Sequence, residues 1–137
     1  MLDANIELVR RIYDEFNETN ELPRWALSAE VDWYPPADEP DNGVRRGADA
    51  VVAYVREWAQ TFESYHCAVQ ELIESGDCVI APLVLHGRIG DSTADLSLPL
   101  TQVWTVRGGK VIRVCEYRTK EEALAAVAPG APGQATA

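Results

Sequence analysis

The sequence predicts an α+β domain in which helices near the N-terminus pack into a strongly curved, mostly antiparallel sheet, together forming a cone. Three observations predict it. Apolar residues recur at helical spacing in the first part of the chain and switch to alternate positions near Tyr65. Helical and extended segments are segregated rather than interleaved, the order of an α+β fold. The extended half is punctuated by short turn sequences, ESGD and RGGK, that suit hairpins.

The elements follow in order. Leu8, Ile12 and Phe16, with Val9 and Tyr13 beside them, predict an amphipathic helix over about residues 4–19. NETNELPRW breaks it, and Pro23 opens a short second helix. EVDWYPP reads as a brief strand, and PPADEPDNG, with three prolines and three acids, as a loop. Gly47 precedes a third helix whose buried stripe is Val51, Val55, Trp58 and Phe62. YHCAVQELIE and CVIAPLVLHGRI are strands joined by ESGD. STAD separates the second from DLSLPLTQVWTV, and RGGK leads into VIRVCEY. Pro82 and Pro99 inside these runs call for an edge or a bulge. Thr119 and Glu122 form a capping box for a closing helix, EEALAAV. One domain spans residues 1–128, and 129–137 is a flexible tail.

Bulk properties narrow the function. The chain has 137 residues, 47% hydrophobic and 25% charged, enough for one domain with its own core. A net charge of −10, with arginine doublets only at Arg10/Arg11 and Arg45/Arg46, argues against nucleic acid. Cys67, Cys78 and Cys115 are dispersed, so they suit neither a zinc site nor a disulfide framework. Reduced, buried thiols in a cytoplasmic protein are expected, with no metal and no cofactor. No apolar run approaches the ~18 residues of a membrane span.

VRRIYDEFNETN, VDWYPP, GVRRGADAVVAYVREW and the hairpin ending in EYRTKEEAL together resemble the SnoaL-like family of the nuclear transport factor 2-like superfamily, from about Asn5 to about Val127. Ketosteroid isomerases, polyketide cyclases and scytalone dehydratases share that superfamily. The resemblance implies the cone and leaves the activity open. In the isomerases a first-helix tyrosine, an aspartate base before a proline and a protonated aspartate on a later strand surround the substrate. Those positions fall here on Ile12 or Tyr13, on Tyr34 or Pro35, and on Gln102, so the isomerase set is absent in its usual form. The cyclases pair an aspartate with a histidine. Glu116 is the best cavity carboxylate here, while His66 and His86 read as surface or interface residues.

The candidate site therefore lies on the hairpin Pro99–Tyr117. Its expected inner row is Leu98, Leu100, Gln102, Trp104 and Val106 on one strand, with Ile112, Val114 and Glu116 on the next. Glu116 and Gln102 are the candidate catalytic pair: a carboxyl whose pKa rises in an apolar pocket, and an amide able to hold a ligand oxygen. Tyr13, Trp33, Tyr34, Trp58 and Trp104 are the expected walls for a small apolar or cyclic ligand. The acids at Asp38, Glu39 and Asp41 lack calcium-loop spacing and read as a solvated lid. Two functions stay open: a cofactor-free cyclase, isomerase or dehydratase, and a non-catalytic binding protein. A homodimer is expected through the convex sheet face, which carries Val84, His86 and Val103.

Overall fold

The structure is a computed structural model describing residues 2–89 and 95–128. The tail at 129–137 and most of the STAD separator lie outside these residues. The order is α1 (Leu2–Thr19), a 3-10 turn (Arg24–Ala26), β1 (Leu27–Tyr34), β2 (Arg45–Arg46), α2 (Ala48–Gln60), β3 (Ser64–Val69), β4 (Ile73–Ser75), β5 (Cys78–Arg88), β6 (Asp95–Arg107), β7 (Lys110–Tyr117) and α3 (Lys120–Val127). The strands make one curved, open sheet in the order β2-β1-β7-β6-β5-β3, with β4 also on β5. Every pair is antiparallel except β1 with β7.

The long α1 buries Val9, Ile12, Tyr13 and Phe16, a stripe at helical spacing, against the sheet. It ends at Asn20, which adopts the left-handed conformation (φ 57°) tolerated by asparagine at a helix C-terminus. Two side chains there fasten it to β3. Asn17 pairs its amide with the backbone of Cys67, accepting from N at 2.8 Å and donating to O at 3.0 Å. Asn20 Nδ2 donates to the Tyr65 carbonyl at 3.0 Å. These contacts occupy backbone groups on an edge strand that would otherwise be open to pairing.

The segment opened by Pro23 is a single 3-10 turn. The YHCAVQELIE run is two strands rather than one, because the chain leaves the sheet over residues 70–72. That break explains Pro82: it sits on β5 where the neighbouring edge passes from β3 to β4, and its carbonyl accepts from Gln70 N. Pro99 pairs with Val84 on β5 and lies beyond the end of β7, so its other side has no neighbouring strand to donate to. The capping box at Thr119 and Glu122 is present in both directions.

One expectation is corrected here. Val103 does not lie on an open convex face, because α3 folds back over it and packs Ala123 and Val127 on Cys78, Ile80 and Val103. The rest of that side stays uncovered by helix, and on it His66 and His86 are register partners with rings stacked at 5.1 Å. Among the described residues no helix is long and apolar enough to cross a membrane.

Candidate functional site

The hairpin of β6 and β7 sets the site. Gly108 and Gly109 both have positive φ (59° and 77°), as a two-residue hairpin turn of matching twist demands. Regular pairing outward from this turn would place Cys115 opposite Gln102. Instead the register shifts after Val106↔Val111 to Thr105↔Arg113, so Ile112 is a surplus residue in a bulge. The pairing then runs Trp104↔Val114 and Gln102↔Glu116. The inner row is therefore Val111, Val114 and Glu116. Ile112, expected in that row, is only partly buried, while Val111 is fully enclosed.

Glu116 and Gln102 meet as direct cross-strand neighbours. Gln102 Nε2 donates to Glu116 Oε2 at 2.9 Å, and Trp33 Nε1 donates to Glu116 Oε1 at 3.0 Å. On the far side of the amide, the Tyr13 hydroxyl donates to Gln102 Oε1 at 2.5 Å and itself accepts from Trp104 Nε1 at 2.8 Å. Five side chains thus form one connected chain in which each donor has its acceptor. The Trp104 ring is wedged edge-on between Tyr13 (centroids 5.5 Å apart) and Trp33 (5.9 Å). The expected choice between Ile12 and Tyr13 is resolved: both line the cavity, and Tyr13 brings its hydroxyl to Gln102.

The electrostatics follow from burial. Although Glu116 keeps some exposure as a residue, its carboxyl is enclosed, and loss of hydration raises its pKa above the ordinary carboxylate value. The Gln102 and Trp33 bonds and the charge of Arg118 oppose that rise without cancelling it. Arg118 does not bond Glu116; its Nε donates to Asp38 at 2.9 Å. Burial holds the Tyr13 hydroxyl well above the ordinary phenol value and pushes the Cys67 thiol up to about 12, so neither ionises near neutrality.

These groups face a cavity of about 60 Å³. Its walls are mostly apolar, with Phe16, Leu85 and Leu100 opposite the tryptophans. The partly exposed lining residues Glu39, Tyr54, Leu98 and Arg118 mark where it meets solvent. Of the seven residues expected at the site, six line this cavity: Glu116, Gln102, Tyr13, Trp33, Trp58 and Trp104. Tyr34 does not. It follows Trp33 on β1 and so points to the other side of the sheet, where it lies under the Arg113 guanidinium (5.5 Å) and lines an outer groove with Pro35 and Cys115. The choice between Tyr34 and Pro35 therefore falls on neither residue.

Of the polar residues of the cavity, Tyr54, Tyr65 and Arg118 were not singled out from the sequence, and Glu39 was read as part of a solvated lid. Tyr54 stands three residues after Val51 and four before Trp58, so helical spacing marks it. Arg118 follows the end of β7 two residues after Glu116, so alternation carried one step past the strand marks it. Tyr65 lies at the start of β3, and the packing of α1 on β3 with the bond from Trp58 reveals its direction. The acidic loop is not a bare lid, since Asp38 pairs with Arg118 and Asp41 with Arg45. Among the described residues no group of three or more histidines, cysteines or acids gathers as metal ligands.

The chain belongs to the SnoaL-like domain family, whose pattern matches residues 9–114, from α1 into β7, and its fold is shared by solved nuclear transport factor 2-like proteins. Bal32a, from a soil-derived mobile gene cassette, is similar in structure at 21% identity and a TM-score of 0.74, over 84% of this chain and 88% of its own. A nuclear transport factor 2-like protein from Burkholderia pseudomallei K96243 is similar at 22% identity and a TM-score of 0.72, over 91% and 98%. TerC, co-crystallised with polyporic acid, is similar at 19% identity and a TM-score of 0.69, over 88% and 95%. At such identities the likeness establishes the fold. No curated protein matches the sequence.

Proposed function

We propose that this protein binds a small ring compound bearing a carbonyl or phenolic oxygen and moves a proton to or from it with Glu116, as a cofactor-free isomerase, cyclase or dehydratase. One observation carries the reading. Each Glu116 oxygen already accepts a bond from a neutral donor, Trp33 Nε1 or Gln102 Nε2. When the carboxyl is protonated, its O–H finds no acceptor in that pair and is free to donate to a ligand in the cavity.

The chemistry follows from this placement. In its ionised form Glu116 takes a proton from a ring carbon next to a carbonyl, and the C–H electron pair moves toward the carbonyl oxygen. Returning the proton at another position completes an isomerisation; loss of a hydroxyl group instead completes a dehydration. Gln102 is taken at both ends by Tyr13 and Glu116, so we assign it the role of orienting the carboxyl. A second reading, a binding protein without chemistry, draws support from the apolar walls. TerC, which shares the fold, was co-crystallised with polyporic acid, which supports an organic ligand under either reading.

Hydrogen–deuterium exchange at the α-carbons of cyclohexanone and cyclohexenone, followed by NMR, separates the two. The wild type is expected to accelerate exchange at least about a hundredfold over Glu116→Gln. Ring binding without acceleration assigns the protein to the second reading. A cytoplasmic setting fits the free state of Cys67, Cys78 and Cys115, and a homodimer through the uncovered part of the convex face belongs to the same proposal.

A further inference from the structure

The cavity contains a second polar group with an unspent hydrogen. Trp58 Nε1 donates to the Tyr65 hydroxyl at 2.6 Å, and since an indole nitrogen only donates, the direction of that bond is settled. The phenolic hydrogen of Tyr65 must go elsewhere, and it has no acceptor among the described residues. Tyr65 is 8% exposed and lines the same cavity as Glu116.

Its position is also rigid. The ring stacks on Phe62 with centroids 5.0 Å apart and planes 13° from parallel, and it meets Phe16 edge-on at 5.8 Å. Its carbonyl is held by Asn20, as described above. The other hydroxyls of the cavity are less suited. Tyr13 spends its hydrogen on Gln102. Tyr54 is partly exposed at the mouth, with the Arg45 guanidinium 4.4 Å from its ring.

We propose that Tyr65 is the second ligand-contacting residue of this site, donating a hydrogen bond to the oxygen of the ring on which Glu116 acts, with Trp58 as its positioning residue. This rests on the acid/base reading and names its substrate class. The ligand oxygen must be an acceptor: a carbonyl, an enolate or a phenolate. Burial holds the Tyr65 hydroxyl protonated at any working pH, so it offers a hydrogen bond and does not surrender the proton. A donor aimed at an oxygen that gains charge stabilises the enolate more than the starting ketone, which is how such a group accelerates the step.

Binding of three single-ring probes to the full chain tests it: toluene, phenol and 4-nitrophenol, the last reporting its own ionisation by its phenolate absorbance. Tyr65→Phe is expected to weaken phenol and 4-nitrophenol about tenfold or more, with the larger loss for the phenolate, and to leave toluene within about twofold. Trp58→Phe keeps the hydroxyl but frees its orientation, and is expected to give a smaller loss that is again selective for the phenols. Unchanged phenol binding by Tyr65→Phe overturns the proposal, as does an equal loss for all three probes, which would mark a packing role. If Tyr65→Phe does not fold, Trp58→Phe decides by the same contrast. Glu116→Gln separates the two readings. If its phenol binding loses the pH dependence of the wild type while Tyr65→Phe behaves as wild type, the Glu116 reading stands and the Tyr65 role falls. Failure of the wild type to bind any probe overturns both.

Discussion

Gln102 and Glu116 face each other across β6 and β7 as register partners, amide nitrogen to carboxyl oxygen at 2.9 Å. The contact holds a carboxyl in place with a neutral partner, so the acid keeps its raised pKa instead of being neutralised by a cation. Gln102→Leu preserves approximate volume but strands the Tyr13 hydroxyl on one side and a Glu116 oxygen on the other. The Tyr13 hydrogen, whose oxygen keeps the Trp104 bond, and Glu116 Oε2 both lose their partner, at a cost of about 2–4 kcal/mol together. Urea unfolding is expected to show a loss of that size, and a neutral result would mean that water replaces the amide.

The pH dependence of stability carries a definite sign. Glu116 has a raised pKa in the fold, so between the ordinary glutamate value and that raised value the unfolded chain has released a proton that the native protein keeps. Stability therefore falls as pH rises through this window, the reverse of a salt-bridged carboxylate. Melting temperatures of wild type and Glu116→Gln measured from pH 4 to 8 (about the range from the ordinary value upward) are expected to converge at the acid end. Toward the alkaline end the wild type loses ground relative to the variant. A constant offset across the range would refute the raised pKa.

Gly87 on β5 provides a packing test remote from the polar chain. A methyl group there would lie 2.6 Å from Phe62 Cδ1, the ring that stacks on Tyr65. Gly87→Ala must push Phe62 aside, and overpacking of this kind costs about 1–3 kcal/mol. The variant is expected to melt earlier and, because Tyr65 moves with Phe62, to bind phenol more weakly than wild type. Gly76→Ala is a useful comparison, since space around that turn glycine is open and only its positive φ of 59° opposes the change.

The proposed dimer is testable by light scattering. The expected particle is twice the 15.1 kDa chain. His66→Glu with His86→Glu places two acids on the uncovered convex face, beside the stacked pair, and is expected to shift the population to monomer. Association unaffected by these changes would locate the interface elsewhere.

The fold was readable because its signals are local. The helical stripe of α1, the capping box at Thr119 and the Gly108-Gly109 turn each depend on residues within a few positions. The division of YHCAVQELIE into β3 and β4 was not readable, since the break shows only in how both strands pair with β5 around Pro82. The covering of Val103 by α3 escaped for the same reason: the destination of the closing helix is a tertiary choice. At the site, alternation identified Glu116, Gln102 and Trp104 as inward. Tyr34 was misplaced because strand parity around Trp33 was left open, and one residue of parity moves a side chain across the sheet. Tyr65 belongs to a helix–strand junction, where no periodic pattern extends far enough to show direction.

The bulge at Ile112 has an outcome of a different kind. It works as a phase shifter: the turn sets one alternation and the surplus residue converts it to the other before the strand reaches the cavity. Deleting Ile112 would remove the bulge yet leave Val114 opposite Trp104 and Glu116 opposite Gln102. Keeping Ile112 but ironing the hairpin flat would bring Cys115 opposite Gln102 and expel the carboxyl to the far side. One backbone thus encodes two interior surfaces, a carboxyl lining and a thiol lining, a single notch apart. Which group lines the cavity is therefore decided by whether the surplus residue is taken up as a bulge, and not by its presence alone.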